Sequence, residues 1–204
     1  MIEYSEAEMR YVASKDPIMD LLVKHYGHLK RGANTDVFSS IVFHILGQLL
    51  SNAAAEKIIS RFKDYFGEIS PERLAQSSII EIKSCGISRQ KATAIHELAI
   101  NTLSGIYTFD NLKNMDDESV IKYLMGIKGV GRWTAEMVAE FTLGRLNIFC
   151  FQDVALKNGI KKAHKLDCIN ETYFNQLKEK YSPYCTVASL YYYTINDDAL
   201  WDIP

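Results

Sequence analysis

The 204 residues carry 23 Lys and Arg against 25 Asp and Glu, and 48% of them are hydrophobic. This composition is ordinary for a globular protein, and no apolar run reaches the roughly 18 residues that a membrane helix needs. The acidic, polar N-terminus does not resemble a secretory signal, so we expect a cytoplasmic (or, in a eukaryote, nuclear) protein. The net charge of −2 argues against a protein that coats DNA by bulk electrostatics.

Apolar residues recur at helical spacing along most of the chain, as in the stripe from Phe38 to Leu49. Capping residues indicate where helices begin, such as Asp16 before Pro17. There is no alternating strand pattern, and we expect the LNIFCF segment at 146–151 to be an extended loop. The sequence therefore predicts an all-α fold. The predicted helices cover residues 5–14, 17–26, 36–50, 52–66, 71–76, 78–84, 89–103, 117–125, 132–143, 154–164, 171–180 and 184–195.

The cysteines and histidines do not indicate a metal site. The five histidines are dispersed, and no two cysteines have a short ligand spacing. We therefore expect no metal and no cofactor, and the cysteines to be small apolar core residues. They are Cys85, Cys150, Cys168 and Cys185.

The most informative segment is the glycine-containing turn between two predicted helices in YLMGIKGVGRWTAEMVAEF, residues 123–141. Gly129 and Gly131 flank Val130, which allows a tight turn and close backbone approach to another surface. Their amides and those opening the next helix would form an anion site that needs little net charge. Ile127 and Val130 would anchor the turn in the core. On the glycines alone, an ordinary helix-connecting turn is the favoured interpretation.

Asp153 opens a further predicted helix about twenty residues later. Aspartate is a favoured N-cap, and from the residue type alone this structural role is preferred. A catalytic role is compatible with it, because a helix N-terminus stabilises a carboxylate and fixes its position.

Several segments together resemble the helix-hairpin-helix DNA glycosylase superfamily. The resemblance extends from about residue 16 to 195 and is greatest to the 3-methyladenine DNA glycosylase II branch, in a compact form without its N-terminal β-domain. The matching segments are the turn L-x-x-I-K-G-V-G-x-W-T-A, the helix start Asp153-Val154-Ala155-Leu156-Lys157, FSSIVFHILGQLLSNAAAEKIISRF at 38–62, GISRQKATAIHELA at 86–99 and DPIMDLLVKHYG at 16–27.

The resemblance implies two helical subdomains flanking a DNA-binding cleft, one of residues 34–143 and one of 1–33 with 144–204. The KRGAN segment near 30–34 is the candidate joint. It also implies a monomer that binds double-stranded damaged DNA and holds a phosphate at the hairpin, with a structural monovalent cation at the same place. The hairpin residues concerned are Gly126, Ile127, Gly129, Val130, Gly131 and Arg132.

The implied reaction is hydrolytic release of an alkylated purine, such as 3-methyladenine or 7-methylguanine, as the first step of base excision repair. Asp153 would stabilise the oxocarbenium-like sugar or orient the attacking water. Bifunctional relatives place a Schiff-base lysine where this chain has Trp133, which implies a monofunctional enzyme without strand cleavage. Trp133, Met137 and Tyr193 would form the base pocket. Gln48 and Leu49 would form the intercalating wedge, although core packing explains Leu49 equally well.

The chain departs from the family at Met137 and Val154, which are aromatic in some relatives, and at Cys185, which replaces an arginine. These departures leave the substrate range open. The alternatives are a non-catalytic helix-hairpin-helix DNA-binding protein, a glycosylase for mismatched or oxidised bases, and an unrelated helical interaction protein. The combination of the hairpin with Asp153 favours the enzyme.

Overall fold

The computed structural model describes residues 2–32 and 36–199, which form α-helices joined by short loops. Most helices begin at a Ser, Asp or Asn whose side chain accepts a backbone N–H of the first turn. The α-helices of these residues are α1 (Glu6–Lys15), α2 (Pro17–Tyr26), α3 (Val37–Gly47), α4 (Asn52–Phe66), α5 (Pro71–Gln76), α6 (Ile79–Ser84), α7 (Arg89–Leu103), α8 (Asp117–Met125), α9 (Arg132–Phe141), α10 (Val154–His164), α11 (Glu171–Tyr181) and α12 (Cys185–Asp197).

The predicted all-α fold is confirmed, and each predicted helix is present. The largest difference is at α3, which ends at Gly47 instead of continuing to residue 50. Segment 146–151 is a loop, as expected. A short 3₁₀ turn at Leu112–Asn114 was not predicted. Among the described helices, none is long and apolar enough to cross a membrane.

The chain divides into two compact units, Met1–Ala33 with Ala139–Pro204 (unit 1) and Asn34–Val138 (unit 2). The chain passes from unit 2 back to unit 1 between Val138 and Ala139, inside α9. The boundary expected from the sequence was between residues 143 and 144. The predicted joint at 30–34 lies partly outside the described residues.

In unit 1, α10 and α12 pack against each other with their backbones in close contact. A Cβ added to Gly159 of α10 would lie 1.9 Å from the carbonyl oxygen of Tyr192 in α12. No larger residue fits this crossing, because real Cβ atoms do not approach backbone oxygens so closely. The crossing therefore fixes α10, whose N-cap is Asp153, against the helix that carries Tyr193.

In unit 2, α3 presents a buried apolar face that includes Phe38, Ile41 and Ile45. Helix α7 packs against α3, α5 and α6 and buries Ile95 and Leu98. The end of α3 is thereby supported by a helix distant in sequence.

Three of the four cysteines, Cys85, Cys150 and Cys185, are buried as expected. The prediction for Cys168 is wrong, since it is exposed. It follows α10 in a polar loop, where no apolar neighbour pattern supported a core position.

Candidate functional site

The turn between α8 and α9 forms a compact hairpin held by its own backbone. The N–H groups of Gly126, Ile127 and Val130 donate to the carbonyls three residues earlier, at 3.0–3.1 Å. The side chains of Ile127 and Val130 are buried, so the two apolar residues anchor the hairpin in the core of unit 2.

Two glycines of the hairpin have different structural demands. Gly129 has φ +85°, and a Cβ there would lie 2.9 Å from the Cβ of Ala94 in α7. Both its backbone angle and its close packing therefore require glycine. Among the residues that the structure describes, no atom would lie within 4 Å of a Cβ on Gly131, so the space beside Gly131 is open.

The cationic side chains at the hairpin are already paired with carboxylates. The Arg132 guanidinium donates to both oxygens of Glu118 at 2.9 and 3.0 Å and to Glu136 at 2.9 Å. The hydrogen bonds that Arg132 donates to Glu118, together with the charges of both acids, raise the pKa of Arg132. Lys128 pairs with Glu97 at 2.7 Å. Anion binding here would therefore rely on the backbone N–H groups of the first turn of α9, which have no intrahelical partner. Arg132 would contribute its backbone N–H and not its side chain.

The two predicted wedge residues have different environments. The Gln48 side chain donates from Nε2 to the carbonyl of Gly129 at 2.9 Å and to Oγ1 of Thr134 at 3.1 Å. Gln48 thus supports the hairpin. Leu49 is fully exposed and has φ +61°. The core interpretation of Leu49 is wrong, because α3 ends before the apolar stripe reaches it.

Trp133, one of the two predicted pocket residues of α9, lies beside a histidine that the sequence did not single out. Met137 is buried, and the half-buried Trp133 meets the His44 ring edge-on, with centroids 5.9 Å apart. Burial lowers the pKa of His44 to about 4, so its ring is neutral at physiological pH. A single histidine on an apolar helix gives no sequence signal that separates it from an ordinary core residue.

Asp153 is the N-cap of α10, and its Oδ1 accepts the N–H of Leu156 at 2.8 Å. The side chain is shielded from solvent, with only 7% of the residue exposed. The structural role and a chemical role are therefore compatible at this residue. The first turn of α10 fixes the position of the carboxylate through this hydrogen bond.

Tyr193 of α12 is the candidate pocket aromatic of unit 1. Its ring lies 5.8 Å from that of Phe141, and the Arg31 guanidinium lies 5.0 Å from each of the two ring centroids. Burial, followed by the charges of Glu140 and Asp153, raises the pKa of Tyr193 well above its ordinary value. The phenol is therefore protonated and electrostatically coupled to Asp153.

The hydroxyl of Tyr193 is buried, and no residue that the structure describes bonds to it. The neighbouring tyrosines differ in this respect. Tyr191 donates to the carbonyl of Gly27 at 2.8 Å, and Tyr192 bonds to Tyr181 at 2.7 Å and to His164 at 2.8 Å. Since buried hydroxyls normally have partners, Tyr193 is the member of this run best suited to a ligand.

Within the described residues, no group of three or more His, Cys, Asp or Glu side chains is arranged to hold a metal ion. A monovalent cation at the hairpin would instead take backbone carbonyls. Those of Ile127 and Gly129 each accept one hydrogen bond and keep a second lone pair.

Comparison with known proteins gives consistent matches. A family model described as HhH-GPD superfamily base excision DNA repair protein matches residues 42–183. The alkylbase DNA glycosidase-like protein mag2 of Schizosaccharomyces pombe is 32% identical, covering 99% of this chain and 94% of that protein. The structure of S. pombe 3-methyladenine DNA glycosylase (Mag1) in complex with abasic DNA has a TM-score of 0.87 at 26% identity, covering 97% of this chain and 100% of that chain. DNA-3-methyladenine glycosidase from Bacillus halodurans has a TM-score of 0.80 at 29% identity, covering 93% and 89%.

Proposed function

Because the chain belongs to the HhH-GPD superfamily of base excision DNA repair proteins, we propose that it is a DNA glycosylase. In this proposal it hydrolyses the N-glycosidic bond of alkylated purines of the 3-methyladenine and 7-methylguanine type in double-stranded DNA. The observation on which the proposal depends is the shielded carboxylate of Asp153 at the start of α10. The names of the relatives, an alkylbase DNA glycosidase-like protein, a 3-methyladenine DNA glycosylase and a DNA-3-methyladenine glycosidase, support the substrate class.

The chemistry follows from the charge of the leaving group. An alkylated purine carries positive charge, so its departure needs no strong general acid. Breaking the bond builds positive charge on the deoxyribose. A carboxylate fixed by a helix N-terminus, as Asp153 is, stabilises that charge without reorganising during the reaction, and it can also orient the attacking water.

We infer that the hairpin binds the DNA backbone through amides rather than through side-chain charge. Arg132 and Lys128 are paired with carboxylates, whereas Gly131 leaves the adjacent space open. A monovalent cation, if held by the hairpin carbonyls, would supply additional positive charge to this anion site. Such a site binds any sequence, as a repair enzyme requires.

The target base must leave the duplex before it can be cleaved. We infer that Leu49 fills the vacated space, since it is a fully exposed leucine at the end of α3. We propose Trp133 and Met137 of unit 2 and Tyr193 of unit 1 as residues that contact the base. The buried hydroxyl of Tyr193, to which no described residue bonds, is a polar group suited to a ligand.

We also propose that the enzyme does not cut the strand. Residue 133 is a tryptophan where a lyase would need an amine nucleophile. Incubation with lesion-bearing DNA and borohydride should therefore trap no covalent adduct, and a trapped adduct would overturn this part of the proposal.

The experiment that tests the function is Asp153→Asn, assayed by release of methylated bases from alkylated DNA. Asparagine caps a helix as well as aspartate does, so we expect the free energy of unfolding to stay within about 1 kcal/mol. Base release should fall at least 100-fold, on the order expected for losing one preorganised electrostatic group. Binding to duplex DNA with an abasic-site analogue should persist.

The matched control is Asp116→Asn. Asp116 caps α8 in the same way, since its Oδ1 accepts the N–H of Ser119, three residues later, but Asp116 is exposed. This variant should release bases at the wild-type rate. Wild-type activity in Asp153→Asn would refute the catalytic assignment. DNA binding without base release by the wild-type protein would favour the non-catalytic alternative.

A further inference from the structure

The turn that follows α3, residues 48–51, holds Leu49 in an unfavourable backbone conformation. Leu49 has φ +61°, in the left-handed region, and its side chain is fully exposed. A left-handed conformation is costly for leucine, and an exposed side chain gains nothing from burial. The turn must therefore be held by its surroundings.

Lys91 of α7 supplies this support from a distant part of the chain. Its Nζ donates to the carbonyl of Leu46 at 2.9 Å and to the carbonyl of Gln48 at 2.7 Å. These are C-terminal carbonyls of α3 and the first carbonyl of the turn, where a cation is favourable. The ammonium is partly buried, which lowers the pKa of Lys91. A lysine whose ammonium stayed fully solvated would show no such lowering of its pKa.

Gln48 connects the same turn to the hairpin. Its carbonyl accepts from Lys91, while its side-chain Nε2 donates to the carbonyl of Gly129 and to Thr134. The hairpin also packs on α7 directly, at Ala94 against Gly129. Ala94 lies three residues after Lys91, on the same side of the helix. One short stretch of α7 thus supports both the turn and the hairpin.

We propose that Lys91 is a positioning residue, which with Gln48 holds the Leu49 wedge at a fixed place relative to the phosphate-binding hairpin. This inference rests on the proposed DNA-binding role of both elements. Binding of a phosphate at the hairpin then places Leu49 beside a particular base step, at no further cost in ordering the turn. Lys91 itself contacts no DNA in this proposal.

The test uses Lys91→Met, which keeps the length of the side chain and removes its donors. Lys83→Met is the control, because Lys83 is an exposed lysine of the neighbouring α6 and its loss changes the net charge equally. The probe is a duplex with a tetrahydrofuran abasic analogue and 2-aminopurine at the adjacent position, whose fluorescence reports unstacking. Both variants are measured in the wild-type and in the Leu49→Gly background.

We expect Lys91→Met to weaken duplex binding and 2-aminopurine unstacking about tenfold, and Lys83→Met to change them less than twofold. In the Leu49→Gly background, Lys91→Met should cost less than twofold, because glycine adopts φ +61° freely and no wedge remains to be positioned. Lys91→Arg should restore most of the wild-type signal. A purely structural role for Lys91 would instead give the same loss in both backgrounds, and that result would overturn the proposal.

If Lys91→Met does not fold, Gln48→Leu removes the other half of the connection and should show the same dependence on Leu49. If Gln48→Leu caused the same loss in the wild-type and Leu49→Gly backgrounds, that result would equally refute the proposal. These readouts do not require base release. A protein that unstacks 2-aminopurine but releases no methylated base would refute the proposed glycosylase function and leave this inference standing. No unstacking by the wild-type protein would overturn the inference itself.

Discussion

The hairpin glycines allow a demand of the fold to be separated from a demand of DNA binding. In Gly129→Ala, the new residue must adopt φ +85°, at about 1–2 kcal/mol for an L-residue. Its Cβ must also displace Ala94, which lies 2.9 Å away in the middle of a helix. Overpacking of this kind costs about 1–3 kcal/mol. We therefore expect a loss of about 2–5 kcal/mol in the free energy of unfolding.

Urea unfolding followed by circular dichroism measures this loss. The double variant Gly129→Ala/Ala94→Gly removes the crowding but keeps the backbone strain. Its free energy of unfolding should therefore be about 1–2 kcal/mol higher than the sum of the two single changes predicts. A Gly129→Ala protein within about 0.5 kcal/mol of wild type would show that neither the angle nor the packing requires glycine.

Gly131→Ala is the matched comparison. The added Cβ would meet no atom of the described residues within 4 Å, and Gly131 has no left-handed φ, so the stability of this variant should stay within about 1 kcal/mol of wild type. Its methyl group would enter the open space where we place the DNA phosphate. Affinity for abasic-analogue duplex should therefore fall at least tenfold, although the fold is intact. Unchanged affinity in Gly131→Ala would refute the phosphate-binding role of this side of the hairpin.

Two further predictions concern stability in each unit. In unit 1, Gly159→Ala should destabilise the protein by more than about 3 kcal/mol or prevent folding, because its Cβ would lie 1.9 Å from the Tyr192 carbonyl oxygen. Asn158→Ala is the control in the same helix. A soluble Gly159→Ala protein with the thermal unfolding of wild type would contradict the close crossing. In unit 2, the pKa of His44 is about 4 when folded and about 6.5 when unfolded, so the unfolded chain binds the extra proton as the pH falls and stability decreases. Between pH 7 and pH 5 this residue should cost about 2 kcal/mol, and urea unfolding of His44→Gln should show a correspondingly weaker dependence on pH.

Local signals in the sequence predicted the helices well because the caps are local. Asp16 before Pro17 gives the start of α2, and its side chain accepts the N–H of Ile18 at 2.9 Å. Gly27 and Gly67, which follow the last residues of α2 and α4, have φ +63° and +68°. Each of these features depends on residues within a few positions, so periodicity and capping rules contain the necessary information.

The end of α3 could not be predicted in this way. The apolar stripe continues through Leu49, and nothing near Gly47 in the sequence requires the helix to stop. The helix end is stabilised by Lys91, which is more than 40 residues away in the chain. The direction of the Gln48 side chain depends on the same tertiary contacts. The sequence therefore indicated which residues form this corner of unit 2, but not that Gln48 faces the hairpin while Leu49 faces solvent.

The two interpretations of Asp153, a cap and a catalytic group, make different demands on the residue. The cap requires only an oxygen that accepts the N–H of Leu156, and this chain uses serine or asparagine for that purpose at several other helices, as at Ser88 and Asn170. Capping does not require a carboxylate that is shielded from solvent and electrostatically coupled to the phenol of Tyr193. Since serine or asparagine would make the same cap, the shielded carboxylate is the feature of Asp153 that the proposed stabilisation of a cationic sugar would use.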